Sequence, residues 1–152
     1  MVVDQLTSAA SSSDPRIRDA VLPKLVRLKT RINLFEKPFP LSGLDVTGRT
    51  IGPTDSEQTM IIFFNPYEMS SQGALQRVAN SPLREGRATT TYLVSVAELP
   101  VETIEALKKI DSSFIVLDWT TSEDWLEKGG IEKVPYLIRL DNEGVVQRLS
   151  IP

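Results

Sequence analysis

The chain has 152 residues, of which 41% are hydrophobic and 24% are charged, a composition typical of one folded globular domain. Its formal net charge of -3 gives no support for a nucleic-acid-binding surface. It contains no cysteine and no histidine, which excludes disulfides, thiolate catalysis, serine–histidine triads and histidine metal centres. No apolar run approaches the length of a membrane span.

The N-terminal part of the sequence predicts a frayed segment followed by a helix. Residues 1–13 are rich in serine, alanine and threonine and are expected to fray. Asp14 and Pro15 are a helix-start signal, because aspartate caps well and proline fits the first turn. We expect a helical segment over residues 14–36, in which Pro23 predicts a kink or two shorter helices. Its apolar face recurs every three or four positions and consists of Ile17, Val21, Leu25, Leu28 and Ile32.

This helical segment is basic in an otherwise acidic chain, since its lysines and arginines outnumber Asp19 and Glu36. The pattern is typical of a solvated helix face that packs its other side on the domain. A juxtamembrane stalk and a partner-binding helix are the alternatives. In the stalk alternative, the chain is a fragment of a larger membrane-anchored protein.

Two β features follow. Residues 37–51 predict two short strands around Asp45-Val-Thr-Gly48, where glycine supplies the positive φ that a tight turn needs. The apolar, β-branched and aromatic run over residues 59–64 predicts a buried strand. A turn signal at Asn65-Pro66-Tyr67 leads into a helix predicted over residues 70–80.

The second half of the chain alternates strands with helices. The predicted elements are a strand over residues 88–96, a helix opened by Pro100 with Val101, Ile104, Leu107 and Ile110 at helical intervals, a strand over residues 113–117, a short helix capped by Thr121 or Ser122, and a final hairpin that begins at Val134-Pro135. This alternation predicts an α/β layer with parallel strand pairs, to which the hairpin adds antiparallel strands.

The order of these elements resembles the thioredoxin-like superfamily, most closely its TlpA-like (redoxin) branch. In that branch an aromatic strand leads to Cys-x-x-Cys at the start of a helix, and a cis-proline later precedes a terminal hairpin. The resemblance implies an α/β fold, with a thioredoxin-like mixed sheet flanked by helices, an extra N-terminal β-hairpin and an N-terminal helix. It covers residues 37–152, the expected thioredoxin-like domain. The branch usually ends in another helix, so either that helix was removed or the N-terminal helix takes its place.

Laid on the pattern of this branch, Glu68-Met69-Ser70-Ser71 occupies the Cys-x-x-Cys position, with Glu68 and Ser71 in the cysteine places. We call these four residues the degenerate slot. Redox catalysis through it is excluded because it carries no thiol. The favoured interpretation is a plain helix start capped by Ser70 or Ser71, and the alternative is an anion or peptide-terminus site made of helix amides and serine hydroxyls.

The proline of the final hairpin also matches the branch. The resemblance implies a cis peptide bond at Pro135 and a backbone at Val134 that pairs with a bound peptide strand, a form of β-augmentation. The predicted binding groove therefore comprises Tyr67, Val134, Pro135 and Tyr136. Retention of this proline for folding alone is the alternative.

Acidic residues and tryptophans give no further site. Asp118, Glu123, Asp124 and Glu127 cluster, but their spacing does not match a calcium loop, so a solvated helix face is favoured. Trp119 and Trp125 flank this cluster and are expected to pack, unless they are exposed as a contact pair.

The leading hypothesis is a redox-inactive thioredoxin-like domain that serves as a protein- or peptide-binding or structural module related to TlpA-like thiol-disulfide oxidoreductases. We expect no catalytic residue, metal, cofactor or nucleic acid, and membrane association only through a segment not present in this chain. The resemblance implies an extracytoplasmic location. The alternative is a non-redox enzyme with Glu68 as acid or base and Ser71 as a hydrogen-bond donor.

Overall fold

The buried strand predicted over residues 59–64 lies at the centre of a five-stranded sheet. The computed structural model describes residues 14–52, 55–81 and 87–150, so the fraying predicted for residues 1–13 lies outside the described part. The elements are α1 (Pro15–Leu34), β1 (Gly43–Leu44), β2 (Thr50–Ile51), β3 (Gln58–Phe64), α2 (Met69–Ala79), β4 (Thr89–Ser95), α3 (Val101–Ile110), β5 (Ile115–Val116), α4 (Trp119–Lys128), β6 (Tyr136–Leu140) and β7 (Val146–Ser150).

The sheet is mixed, with the strand order β5-β4-β3-β6-β7. Strands β3, β4 and β5 are parallel, because helices α2 and α3 carry the chain back between them. Strands β6 and β7 form an antiparallel hairpin beside β3. All residues of β3 are buried, as expected for a central strand covered on both faces. The predicted fold class, a mixed sheet with an N-terminal hairpin and helix, is confirmed.

The predicted N-terminal hairpin forms a separate two-stranded sheet of β1 and β2. Its turn is the predicted one, with Gly48 at a φ of 84° and its amide donating to the Asp45 carbonyl over 3.0 Å. The hairpin lies against the edge strand β5, because the Val46 amide donates to the Val116 carbonyl over 2.9 Å. The hairpin therefore covers one edge of the main sheet.

Side chains alternate along the strands and divide the core into two clusters. The α4 face of the sheet buries Phe39, Ile51, Ile61, Phe63, Tyr92, Val94, Leu117, Trp125, Ile138, Leu140 and Val146. The α2–α3 face buries Met60, Ile62, Phe64, Leu75, Val78, Leu93, Leu107, Phe114, Val116 and Leu137.

Helix α1 is a single helix with Pro23 inside it, so the alternative of two shorter helices is excluded, and the alternative of a kink at Pro23 stays a prediction. Proline removes one backbone hydrogen bond, and the turns on both sides continue without it. Asp14 is the predicted cap and accepts a hydrogen bond from the Arg16 amide over 2.9 Å.

The predicted apolar face of α1 is buried only in part. Leu25 is 7% exposed, whereas Ile17 and Ile32 are 46% and 53% exposed. The C-terminal end of α1 is anchored, since Leu34 packs against the α4-face cluster and Arg31 donates to the Gly130 carbonyl. That α1 takes the place of a terminal helix stays a prediction.

Two local predictions are wrong. Helix α4 begins at Trp119 and is capped by Asp118, whose carboxylate accepts from the Thr121 amide over 2.8 Å, so neither Thr121 nor Ser122 is the cap. Strand β5 contains two residues, because its ladder with β4 covers only Ile115 and Val116. Helix α3 forms as predicted, and Val101 in its first turn is 67% exposed.

Candidate functional site

The degenerate slot lies at the start of α2, but the residue at the N-cap position is not one of the predicted serines. Glu68 is the N-cap residue of α2, and its side chain makes no hydrogen bond to the helix amides. Ser70 and Ser71 lie inside the first turn, so the prediction that one of them caps the helix is wrong. A capping serine must immediately precede the first turn of a helix. Helix α2 begins at Met69, so both serines lie inside it.

Asn65 organises the slot. Its backbone amide donates to the Ser71 hydroxyl oxygen over 3.0 Å, and its side-chain oxygen accepts from the Tyr67 amide over 3.0 Å. Its side-chain nitrogen donates to the Glu68 carboxylate over 3.2 Å. One asparagine therefore joins the end of β3 to the turn, the N-cap and the first turn of α2. The sequence marked Asn65 only as a turn residue, although the tendency of asparagine to bond a backbone amide two residues on could have indicated this role.

The slot residues differ in exposure, because Ser71 is buried and the other three are accessible to solvent. Ser71 is fully buried, so its hydroxyl serves the Asn65 amide and does not face solvent. Tyr67 and Met69 are 70% and 86% exposed, and Glu68 and Ser70 are exposed as well. The slot and the adjacent Tyr67 thus present an aromatic ring, a thioether, a carboxylate and a hydroxyl to solvent.

The proline segment lies at the same end of the sheet as the slot. Phe63 pairs with Tyr136, which places the start of β6 beside the end of β3, and the peptide bond between Val134 and Pro135 is cis. Val134 and Tyr136 are partly buried against the α4-face cluster. Burial raises the pKa of the Tyr136 phenol, and the nearby Arg31 charge offsets part of this effect, so the phenol stays protonated at neutral pH. The groove between Tyr67 and this segment stays a prediction.

A cavity of about 520 Å³ lies on the other side of the α2 N-terminus, between α2 and α3. Met69 is the one slot residue that lines it. Glu68 is exposed and does not line this cavity. An acid or base that acts on a bound substrate must reach it in a pocket, so an exposed Glu68 outside the cavity counts against an acid–base role. Burial of Ser71 counts against its use as a donor to substrate.

Two residues of the acidic cluster have partners of their own within α4. Asp118 caps α4, and Asp124 forms an ion pair with Lys128 over 2.7 Å. Within residues 14–52, 55–81 and 87–150, no group of acidic side chains is arranged to hold a metal ion. No helix in these same ranges is long and apolar enough to cross a bilayer. Trp125 is fully buried and Trp119 is partly buried, so the two do not form an exposed pair.

No known protein family matches the sequence, and no curated protein sequence matches it. Solved structures match it in fold. The thioredoxin domain of a thiol-disulfide oxidoreductase from Bacteroides vulgatus is 18% identical, with a TM-score of 0.59 over 76% of this chain and 86% of that one. A thiol:disulfide interchange protein from Bacteroides sp. is 20% identical, with a TM-score of 0.58 over 76% of this chain and 80% of that one.

A third structure also matches the N-terminal helix. A thioredoxin-like protein from Bacteroides caccae is 13% identical, with a TM-score of 0.70, and the match covers 99% of this chain. This chain spans 57% of that protein. At such identities the likeness shows the fold alone. The chain therefore has the thioredoxin-like fold of thiol-disulfide oxidoreductase domains, and it lacks the Cys-x-x-Cys pair.

Proposed function

We propose that this domain is a redox-inactive, thioredoxin-like module that binds an extended peptide of a partner protein at the N-terminus of α2. The observation that carries the proposal is the Asn65 hydrogen-bond network, which holds the degenerate slot in a fixed shape although no thiol is present. A surface that is already ordered loses less entropy on binding.

The chemistry of the accessible surface suits peptide contact. Tyr67 and Met69 are large, apolar and mostly exposed, and residues of these types are enriched at protein interfaces. Glu68 and Ser70 beside them can accept or donate hydrogen bonds at the rim. The backbone at Val134, next to Pro135, would supply strand-like hydrogen bonds to the peptide. No bond is made or broken in this proposal.

Peptide binding is tested by selecting peptides from a displayed library of random sequences on the immobilised domain. The affinity of a selected peptide is then measured by fluorescence polarisation. We expect Tyr67→Ala and Met69→Ala each to weaken binding about tenfold, since truncating an interface anchor costs more than 1 kcal/mol. Glu105→Ala, an exposed site on α3, is the matched control. The proposal fails if no peptide binds saturably, or if the slot variants bind as well as the control.

Redox inactivity is tested separately by reduction of insulin with dithiothreitol. We expect the domain to give no turnover above the rate of the reductant alone, because it has no thiol to exchange. Insulin reduction faster than that rate, by an activity that copurifies with the domain, would contradict the proposal.

The proposal also places the domain outside the cytoplasm, and the likeness in fold to thiol-disulfide oxidoreductase domains supports this location. Fractionation of cells that make the natural full-length protein would test it. We expect the domain to be accessible to protease added to intact or osmotically shocked cells, and protection in both would contradict the location.

A further inference from the structure

The cavity between α2 and α3 is bounded by groups that the proposed peptide surface does not use, except at Met69. Its floor is formed by Phe64, Leu75 and Leu107, which are at most 5% exposed. The cavity is lined by α2, α3, the end of β3 and the turn after it, and neither Val134 nor Pro135 is among its lining residues. Met69 is therefore the residue that the two surfaces share.

None of the described residues that line the cavity carries a charge, although the Arg77 guanidinium lies beside its α2 wall, 3.3 Å from where a Cβ at Gly73 would be. Helix α3 has four charged residues, but the lining takes only its neutral positions, such as Thr103, Ala106 and Ile110. Helix α2 contributes the uncharged amides of Gln72 and Gln76. The lining residues themselves offer an ion no opposite charge in return for lost hydration, so they favour an uncharged ligand.

Gly73 lines the cavity on α2 and, because it has no side chain, leaves that wall without a projecting group. Glycine inside a helix costs about 1 kcal/mol relative to alanine. An added Cβ at Gly73 would meet only the Arg77 guanidinium, at 3.3 Å, so no backbone contact requires glycine at this position. Ala106 keeps the α3 wall similarly low. Larger apolar side chains at these two positions would occupy space that is now open.

We propose that this cavity binds an uncharged, largely apolar small molecule. A volume of about 520 Å³ lies within the range of known small-molecule sites, which are apolar with a few placed polar groups. The apolar part of the ligand lies on Phe64 and Leu107, and its polar end receives hydrogen bonds from Gln72, Gln76 or Thr103. This site shares Met69 with the proposed peptide surface, but the proposal does not require that surface to bind a peptide.

Two matched dyes test the proposal. N-phenyl-1-naphthylamine is neutral and fluoresces in apolar surroundings, and 8-anilino-1-naphthalenesulfonate adds one sulfonate to the same skeleton. We expect saturable one-to-one binding of the neutral dye to the wild-type chain, with an affinity at least about tenfold higher than that of the sulfonate. Absence of saturable neutral-dye binding, or equal affinities for both dyes, would overturn the proposal.

Filling variants locate the site. Gly73→Leu and Ala106→Leu each place an apolar side chain at the cavity wall, and we expect each to weaken neutral-dye binding about tenfold while Glu105→Leu leaves it unchanged. Gln76→Glu keeps the side-chain shape and adds a charge, and it is expected to weaken binding severalfold. This isosteric variant decides the matter if a leucine variant does not fold by circular dichroism. If the folded variants bind the neutral dye as tightly as the wild type, the proposed site is wrong. If Tyr67→Ala loses peptide binding but still binds the dye, the proposed cavity site is supported as distinct from the peptide surface.

Discussion

The two faces of the central sheet are packed in different ways. On the α4 face, the Trp125 ring makes edge-to-face contacts with Phe39 and Tyr92, each at a centroid distance of 5.4 Å, and its indole nitrogen donates to the Ser42 carbonyl over 2.9 Å. On the α2–α3 face, the buried cluster opens into a cavity of about 520 Å³. We call the α4 face closed because Trp125 packs there against Phe39 and Tyr92, which are far apart in sequence; the hollow of about 890 Å³ on that side lies between α1 and α4 and is lined by no strand residue. We call the α2–α3 face open because its cavity reaches Phe64 of the central strand.

This difference indicates a division between scaffold and binding surface. The α4 face joins the N-terminal hairpin to α4 through hydrogen bonds such as the one from the Leu44 amide to the Thr121 hydroxyl, at 2.9 Å. The α2–α3 face carries α2, whose first turn presents the degenerate slot on one side and the cavity on the other. Substitutions on the closed face should therefore cost stability, and substitutions on the open face should chiefly change binding.

The largest effect is expected for Trp125→Ala. The side chain is fully buried, so its removal leaves a cavity and an unpaired Ser42 carbonyl, at a cost of about 3–5 kcal/mol in the free energy of unfolding. Urea denaturation measures this cost. Trp119→Ala is the control on the same helix, since Trp119 is only partly buried and should cost clearly less. Similar losses in the two variants would contradict the special packing of the closed face.

A smaller loss of about 2–3 kcal/mol is expected for Gly43→Ala. Gly43 has a φ of 129°, and an added Cβ would lie 2.4 Å from the Thr121 side chain. Thr121 must then move and give up its hydrogen bond to the Leu44 amide.

Gly48→Ala is the matched control for Gly43→Ala. Gly48 also has a positive φ, of 84°, but an added Cβ there meets nothing within 4 Å. Its cost is therefore the backbone strain alone, about 1–2 kcal/mol. If thermal unfolding gives the same loss for both variants, the close approach of the hairpin to α4 does not contribute to stability.

Much of both faces could be predicted from the sequence, because periodicity records which side of an element is buried. The apolar run over residues 59–64 indicated the buried strand β3, and the strand predicted over residues 88–96 is β4. The turn at Gly48 followed from the need for a positive φ. These signals are local, so they survive without knowledge of the tertiary contacts.

What could not be predicted depends on contacts between distant residues or on competition among neighbours. The predicted caps of α4 are Thr121 and Ser122, but Asp118 caps the helix, and the Thr121 hydroxyl accepts a hydrogen bond from the Leu44 amide, which is far away in the chain. Burial of Ser71 beneath Asn65 depends on where α2 begins. The cavity depends on how far apart two helices pack, and neither helix encodes that distance alone.

On the open face we expect a gain. Gly73→Ala should raise the free energy of unfolding by up to about 1 kcal/mol, because alanine is a better helix former and the added methyl group displaces only a flexible guanidinium. Gly144→Ala is the control, since Gly144 has a φ of 80° and the same substitution there should destabilise the protein. Chemical denaturation compares the two. A loss of stability in Gly73→Ala would mean that the α2 wall is already fully packed.

The smallest expected effect is a pH dependence at Asp45, in the hairpin that covers the sheet edge. Burial raises the pKa of this carboxyl, but hydrogen bonds from the Thr47 hydroxyl and the Thr47 and Arg49 amides, with the Arg49 charge, hold it below its ordinary value of 3.8. A carboxyl with a lowered pKa in the folded state stabilises the fold above its unfolded pKa. That contribution is lost as the pH falls through the folded value.

Asp45→Asn removes this contribution, so the wild type should exceed the variant by less than about 1 kcal/mol near pH 6. The difference should shrink as the pH falls below about 4. Urea midpoints at several pH values measure it. Thr47→Val removes the hydroxyl that donates to Asp45 over 2.6 Å and should reproduce part of the change. A difference that stays constant from pH 6 to about pH 2 would show that Asp45 acts through its shape in the turn, because its charge would then add nothing to the stability of the hairpin.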